Sequence, residues 1–184
     1  HEDAIFPIRK RNIPIHILNT NRPQDPGTII MDAIENDPAD SLITGIAGKK
    51  DFVAVEIYQK HMSNAVGVIR KTLSVFEKYN VSVEHIPSGI DSFSVIVQGS
   101  DVRSNIYEII AEIKETVKPD SIRLVEGIAL IATVGRNMSA RPGTSGRLFA
   151  ALGNSGINIR MIAQGSDEIN IIVGVENKDF EKAI

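Results

Sequence analysis

The sequence predicts an α+β fold made of two similar units, each with the element order βαββαβ. Segments with helical spacing of apolar residues alternate with short segments rich in Val and Ile, which favour strands. The stretch from His61 to Gly89 also has a counterpart from Asn137 to Gly165, displaced by 76 positions without a gap. A hydrophobic content of 42% with 23% charged residues is typical of a globular protein with a packed core.

The first 40 residues carry elements that belong to neither copy of the repeat. His1 to Asn12 has the apolar spacing of a short amphipathic helix, and Ile13 to Thr20 alternates like a strand. A loop rich in Pro and Asp follows, and Thr28 to Met31 predicts another short extended segment. The polar stretch from Glu35 to Ser41 predicts a linker and is the best candidate for a domain boundary.

The first copy begins after this linker. Leu42 to Gly48 and Asp51 to Gln59 predict two strands joined by a short turn. The further predicted elements are a helix from Ala65 to Tyr79, strands from Asn80 to Ile86 and Ile90 to Gly99, a helix from Val102 to Val117, and a strand from Ser121 to Gly127. The helix from Ala65 places its apolar residues on one face, and Pro119 marks the end of the second helix.

The second copy shows the same order of elements, without a final strand. Its predicted elements are a strand from Ile128 to Gly135, a helix from Thr144 to Ser155, strands from Ile157 to Gln164 and Glu168 to Val175, and a helix that begins at Asn177. Leu42 to Gly48 could supply the missing strand by running alongside this sheet. The order predicts two ferredoxin-like units, the first inserted within the second.

The ungapped repeat extends to individual residues, including glycines in turns. The identical pairs are Met62/Met138, Ser63/Ser139, Gly67/Gly143, Ile86/Ile162, Gly89/Gly165, Asp91/Asp167 and Val97/Val173, and Val95/Ile171 match in kind. The alternative, two unrelated βα segments with the same spacing, remains open at this point.

Composition excludes several classes of protein. The chain has no cysteine, which rules out disulfides and thiolate zinc sites and favours a reducing cytoplasm. A net charge of −3 argues against nucleic-acid binding, and no apolar run reaches the roughly 20 residues that cross a bilayer. No signal-peptide pattern opens the sequence. Because it starts at His1 and stops at Ile184 within a predicted helix, we expect a piece of a longer polypeptide.

The sequence contains no familiar catalytic motif, and its histidines lack the spacing of metal ligands, so we expect them to be structural. The glycine-rich stretch from Gly143 to Gly146, flanked by Arg136, Arg141 and Arg147, could bind a phosphate at a helix start. One open alternative is therefore a small free-standing enzyme that acts on a phosphate.

A better candidate site lies in the first copy, at the start of the helix that follows Gly67. Free N–H groups at a helix N-terminus bind a carboxylate, and Glu84 on the next strand could bind an ammonium group. Together they would suit a zwitterionic amino acid. The alternative, that Gly67 is only a turn residue and Glu84 only a solvated one, stays open. Arg160 takes the place of Glu84 in the second copy, which suggests that one copy binds ligand and the other serves as a partner surface.

The chain resembles the C-terminal part of the aspartate kinase family, which carries a pair of ACT domains. The segments that carry the resemblance are "HEDAIFPIRKRNIPIHILNTNRPQDPGTII", "ITGIAGKKDFVAVEIY", "HMSNAVGVIRKTLSVFEKYNVSVEHIPSG" and "GRNMSARPGTSGRLFAAL" followed by "INIRMIAQGSDEINI". The resemblance implies that residues 1–40 are the tail of an amino-acid-kinase catalytic domain plus a linker. It implies a first ACT domain at 49–125, inserted in a second one formed by 41–48 and 126–184.

The resemblance also implies a function. The parent enzyme would phosphorylate the side chain of aspartate, with ATP and Mg²⁺ in a catalytic domain outside this sequence. We therefore expect residues 1–184 to hold no cofactor and to lack kinase activity. They would bind an end-product amino acid for feedback inhibition and form a homodimer through the ACT domains. A ligand-free assembly module is the alternative.

Effector contacts implied by the resemblance fall on the first ACT domain. They are Met62, Asn64, Ala65, Gly67, Val68, Ile69, Ser82, Val83, Glu84 and Ser88. Glu84 stands where the lysine-sensitive pattern usually has Asp, and Ile90 stands where some members carry an acidic residue. Lysine is our first choice of effector and threonine the second.

Overall fold

The computed structural model describes residues 5, 7–8, 11, 13–31, 43–135, 138, 141–165 and 169–184. The chain divides into two compact units, His1–Ser41 and Leu42–Ile184. In the first unit, β1 (Ile15–Ile17) pairs antiparallel with β2 (Thr28–Ile30), as the alternating pattern predicts. The helix predicted over residues 1–12 lies largely outside the described residues, and the linker predicted over 35–41 lies wholly outside them.

The second unit is one six-stranded antiparallel sheet with helices packed against it. Its elements are β3 (Gly45–Tyr58), α1 (Val68–Lys78), β4 (Val83–His85), β5 (Ser92–Gln98), α2 (Gly99–Val102), α3 (Ile106–Val117), β6 (Ser121–Val134), α4 (Thr144–Asn154), β7 (Met161–Gln164), β8 (Asn170–Glu176) and α5 (Phe180–Ala183). The strand order is β4-β5-β3-β6-β8-β7. Each half of the sheet has the ferredoxin-like arrangement, and the long strands β3 and β6 run through both halves.

These long strands differ from the prediction, which had two strands joined by a short turn in place of β3 and two consecutive strands in place of β6. In β3 the backbone at Asp51 has a φ of 66°, and in β6 that at Gly127 has a φ of 72°. The pairing of β3 with β6 shifts between Lys49 and Phe52 and again between Phe52 and Ala54. The predicted turn in β3 and the predicted strand boundary at Gly127 are therefore β-bulges, each of which inserts an extra residue without reversing the chain. Polar residues and glycine signal both features, so sequence alone does not separate them.

The first half of β3 does complete the second sheet. Gly45, Ala47 and Lys49 lie opposite Val134, Ala132 and Leu130 of β6. This confirms that the segment before the first copy runs alongside the second one. The single helix predicted from Val102 to Val117 is wrong in one respect, because Arg103–Asn105 form a turn that separates α2 from α3. Asn105 precedes α3 with a non-helical backbone, a position that asparagine favours.

Two apolar cores lie between the sheet and the helices. The first packs α1 and α3 against β3 and β5, and its largest fully buried side chains include Phe76, Phe93, Ile57, Ile109 and Ile113. The second packs α4 and α5 against β6 and β8, around Ala129, Ile131, Ile171, Val173 and Val175. A smaller cluster of Phe52, Ala54, Ile96 and Ile128 forms at the level of the bulges.

The repeat is visible in the structure, with one change of register. Helices α1 and α4 are displaced by 76 residues and begin after glycines with φ of 82° and 86°. Phe52 lies opposite Gln98, whereas Ile128 lies opposite Glu176, so β5 and β8 are displaced by 78. Val97 therefore corresponds to Val175 and not to Val173, and Val95 corresponds to Val173 and not to Ile171. The ungapped match ends between β7 and β8; of its last pairs, Asp167 lies outside the described residues.

Candidate functional site

Helix α1 begins at a glycine whose backbone only glycine adopts at low cost. Gly67 precedes the helix with φ 82° and ψ 11°, and no side chain caps the first turn. A residue with a Cβ is disfavoured in this left-handed region. The Gly67 carbonyl accepts the first helical hydrogen bond from the N–H of Lys71. The earlier N–H groups of such a turn have no partner within the helix, and groups of this kind can bind an anion.

The loop before α1 and the first turn of α1 hold the other residues predicted at this helix start. Met62 to Asn64 form one turn of 3₁₀ helix, in which the Asn64 N–H donates to the carbonyl of His61. Met62, Ala65 and Ile69 pack against the first core, which makes them part of the loop's support. Asn64 is exposed, as is its neighbour Ser63, so the side chain of Asn64 is accessible to a ligand.

Three further predicted residues line an open groove beside β4. The groove has a volume of about 800 Å³ and is bordered by the C-terminal half of α1 and the segment from Val81 to Ile86. Ser82 and Glu84 are exposed in it, whereas Val83 packs against the first core. Among the described strands β4 pairs only with β5, so its outer edge presents N–H and C=O groups to a partner.

The structure places these two groups at opposite ends of α1. Val83 pairs at the level of Val97, near the start of the second half of β3, whereas Ser88 bridges to Phe93 near its end. The loop before α1 follows that end of β3, and α1 extends about 16 Å away from it. The groove is accordingly lined by the end of α1 and not by its start. The antiparallel course of α1 and β4 therefore separates the two predicted groups of residues within one chain.

His85 is a residue of this groove that sequence reasoning assigned only a structural role. It is half-buried, and its Nε2 is buried without a hydrogen-bond partner among the described residues. Burial lowers the pKa of the imidazole below its ordinary value of 6.5. Strand alternation with Val83 predicts that the ring is half-buried, but no pattern in the sequence indicates an unpaired ring nitrogen.

The second copy has different polar chemistry at the equivalent positions. The guanidinium of Arg160 contacts Glu176 Oε1 at 3.4 Å. A hydrogen bond from Lys178 Nζ, at 2.6 Å, lowers the pKa of Glu176, and Arg160 adds to this effect. Arg160 is thus held by a carboxylate of its own chain. Around Gly143, Thr144 Oγ1 donates to the Arg141 carbonyl at 2.8 Å, while Arg136 of the predicted phosphate loop lies outside the described residues.

Other chemistries find little support in the described part of the chain. There, no group of three or more His, Asp or Glu side chains is placed to hold a metal ion. Nor does any helix in those ranges have the length and apolar character needed to span a membrane.

Comparisons with known proteins agree with one another. Residues 131–184 match the ACT domain family model. Aspartokinase 3 of Bacillus subtilis is 32% identical over 185 aligned positions that include the whole chain. Aspartokinase 1 of Arabidopsis thaliana, a chloroplast protein, is 29% identical over 189. The chain covers 40% of the first relative and 32% of the second, so it spans well under half their length.

Solved structures extend these similarities to the fold. The aspartate kinase of Clostridium acetobutylicum matches the whole chain with a TM-score of 0.93 and 48% identity, and the chain covers 42% of it. Escherichia coli aspartokinase III, solved in complex with lysine and aspartate, matches with a TM-score of 0.80 at 22% identity, with 40% of it covered. The second similarity supports the fold alone.

Proposed function

We propose that this chain, which is related over its whole length to the aspartokinases and contains an ACT domain, is the regulatory region of such a kinase. In this proposal it binds an end-product amino acid, with lysine as the first choice and threonine as the second. The catalytic domain, which would use ATP and Mg²⁺ to phosphorylate the side chain of aspartate, would lie outside residues 1–184. These residues alone would then have no kinase activity.

The observation that carries the proposal is that the first copy presents both an uncapped helix start and an exposed carboxylate. The N–H groups after Gly67 suit a carboxylate, and Glu84 suits an ammonium group. An amino acid carries both charges. Lysine is also the ligand in the E. coli aspartokinase III structure, which shares this fold. One observation favours lysine less: Ile90, which is 81% exposed in the turn after β4, provides no carboxylate for the side-chain ammonium group of lysine.

A homodimer would explain why the two halves of the site lie apart in one chain. A two-fold axis beside β4 would pair the free edges of two β4 strands in antiparallel orientation. The Gly67 end of one chain would then lie beside the Glu84 groove of the other. We therefore propose that each effector site is shared, with the helix start from one subunit and Glu84 from its partner.

Regulation would follow from differential binding. An effector that binds one arrangement of the dimer more tightly than another shifts the population toward that arrangement. A coupling of about 1–3 kcal/mol between effector and kinase would be enough for useful inhibition. The attached catalytic domain would respond because its inactive state accompanies the effector-bound arrangement.

Thermal unfolding with and without amino acids tests the proposal. Lysine should raise the melting temperature of the wild-type chain, and Glu84→Ala should abolish this rise while leaving the unliganded melt unchanged, because Glu84 is exposed. Glu115→Ala, which removes another exposed carboxylate on α3, is the matched control and should keep the rise. An unaltered lysine effect in Glu84→Ala would reject the site.

The alternative function is a ligand-free assembly module, which the open edge of β4 favours. In that case none of lysine, threonine and methionine would change the melt, although the chain would still dimerise. Calorimetric titration with the twenty amino acids would identify the effector. If none of them bound, assembly would be the remaining function. Detectable turnover by residues 1–184 would instead favour a free-standing enzyme.

A further inference from the structure

The two halves of the sheet meet at a joint that neither the effector site nor the cores use. Asp51 and Gly127, the two bulge residues with positive φ, are 76 positions apart and therefore equivalent in the two copies. Next to them Phe52 lies opposite Ile128, so the two bulges are adjacent in the paired strands. Every covalent connection between the two halves of the sheet in the described ranges passes through this joint, because only β3 and β6 extend into both halves.

At the joint, Asp51 of the first copy is bound by Asn177 of the second. The Asp51 N–H donates to Asn177 Oδ1 at 3.2 Å, and Asn177 Nδ2 donates to Asp51 Oδ1 at 2.7 Å. One amide side chain thus engages both the backbone and the carboxylate of the bulge. Asn177 directly follows β8, whereas Asp51 interrupts β3, so the pair links strands that are not neighbours in the sheet.

Other contacts hold the Asp51 bulge in place. Gln98 Nε2 donates to the carbonyls of Lys50 and Asp51 at 3.2 and 3.3 Å. A Cβ on Gly99 would lie 2.7 Å from the Asp51 carbonyl oxygen, so only glycine allows this approach. The residue before Asp51 contacts α5: Lys50 Nζ lies 3.4 Å from Glu181 Oε1 and over the ring of Phe180.

The joint is not symmetric, although the fold around it is. By the displacements of 76 and 78, the counterpart of Asp51 is Gly127 and the counterpart of Asn177 is Gly99. This pair of glycines has no side chains with which to make the equivalent bonds. A cavity of about 280 Å³ lies beside both of them. Within the residues that the structure describes, this side-chain link therefore exists at Asp51 and has no equivalent at Gly127.

We propose that Asp51 and Asn177 form a clamp that holds the two ACT copies in one relative orientation. With the clamp closed, the copies move as one body; with it open, β3 and β6 can flex at their bulges toward the cavity. The clamp is a property of the fold and does not depend on a ligand. Its use in transmitting an effector signal from the first copy to the second rests on the function proposed above.

Hydrogen exchange on the 184-residue chain tests the clamp through a reciprocal exchange of its two side chains. Asn177→Asp removes the Nδ2 donor and sets two carboxylates against each other, so amides of residues 48–53 and 174–180 should exchange roughly three to ten times faster. The double variant Asp51→Asn with Asn177→Asp restores a donor and an acceptor, and should return to the wild-type rates. Asparagine tolerates the positive φ at position 51. Asn154→Ala, on the exposed end of α4, is the control and should change nothing at the joint.

The clamp is rejected if Asn177→Asp exchanges like the control, or if the double variant remains as fast as the single one. A second arm repeats the measurement with lysine. In the wild type, lysine should slow amide exchange from β4 as far as β8. In Asn177→Asp the slowing should stop at the joint, and equal slowing of β8 in both proteins would also reject the clamp. If lysine protects no part of the first copy, the proposed effector is wrong. The exchange rates measured without lysine then test the clamp independently of the proposed function.

Discussion

Single residues define the chemistry of the two copies more than their folds do. Gly67 and Gly143 have nearly the same backbone angles, and the helices after them have the same length. Glu84 is exposed in a groove, whereas its counterpart Arg160 is bound to Glu176. The copies thus share a helix start that suits an anion, and they differ in the side chain that would face an ammonium group.

His85 leads to a prediction about pH. Its folded-state pKa is lowered by burial, so the unfolded chain binds this proton more readily. The resulting stability is complete above the ordinary pKa of about 6.5 and is lost as the pH falls toward and through the lower folded-state pKa. The free energy of unfolding of the wild type should therefore fall more steeply from pH 7 to pH 5 than that of His85→Gln.

Urea unfolding at several pH values measures this difference, and comparison with the variant cancels the contributions of all other titrating groups. Parallel curves for the two proteins would show that His85 titrates alike in the folded and unfolded states.

At the scale of elements, α3 illustrates how an amphipathic pattern becomes stability. Ile109 and Ile113 are fully buried in the first core, while Tyr107, on the opposite face, is 77% exposed. At its C-terminus the helix ends at Lys118, whose backbone has a φ of 54° just before Pro119. Burial, and not the charged outer face, is what holds this helix to the sheet, because exposed ion pairs contribute little.

Ile109→Ala should destabilise the chain by about 2–5 kcal/mol, because it leaves a cavity among side chains that cannot close around it. Tyr107→Ala removes a larger side chain from the same helix and should change the free energy of unfolding by less than about 0.5 kcal/mol, since surface positions tolerate substitution. Denaturant midpoints of the two variants measure the contrast. Equal losses would mean that the face of α3 has been assigned incorrectly.

For the whole molecule, the shared-site proposal makes a prediction about mixtures. Asn64→Ala damages the helix-start half of the site, and Glu84→Ala damages the strand half, so neither variant alone should bind lysine. If each site combines the halves of two subunits, a heterodimer of the variants contains one intact site. An equal mixture should then recover about a quarter of the wild-type sites, because half of the dimers are mixed and each has one good site.

Calorimetric stoichiometry measures this recovery after the subunits have had time to exchange. Native mass spectrometry of the same mixture, with one variant labelled with ¹⁵N, serves as the control that mixed dimers have formed. If the mixture of Asn64→Ala and Glu84→Ala binds no lysine, the whole site lies within one chain.

Much of the fold could be predicted because local patterns report directly on local geometry. Apolar residues at helical spacing located α1 and α4, and alternating Val and Ile located β5 and β8. The register change between the copies was missed because two extra residues between β7 and β8 leave the patterns of both strands intact. The bulge in β3 was predicted as a turn because whether the chain reverses before Asp51 depends on the strand that it meets, and not on neighbouring residues in the sequence.

By itself, the sequence determined the approximate positions of the helices and strands and the presence of two similar copies. It also determined which charged side chains each copy carries near its helix start. Those properties depend on periodicity and on residue type within a few positions. Only the tertiary structure decided that β3 and β6 are continuous, that Glu84 and the start of α1 lie at opposite ends of one helix, and that Asn177 reaches Asp51. These features join residues up to 126 positions apart, and such contacts are set by the packing of the whole sheet.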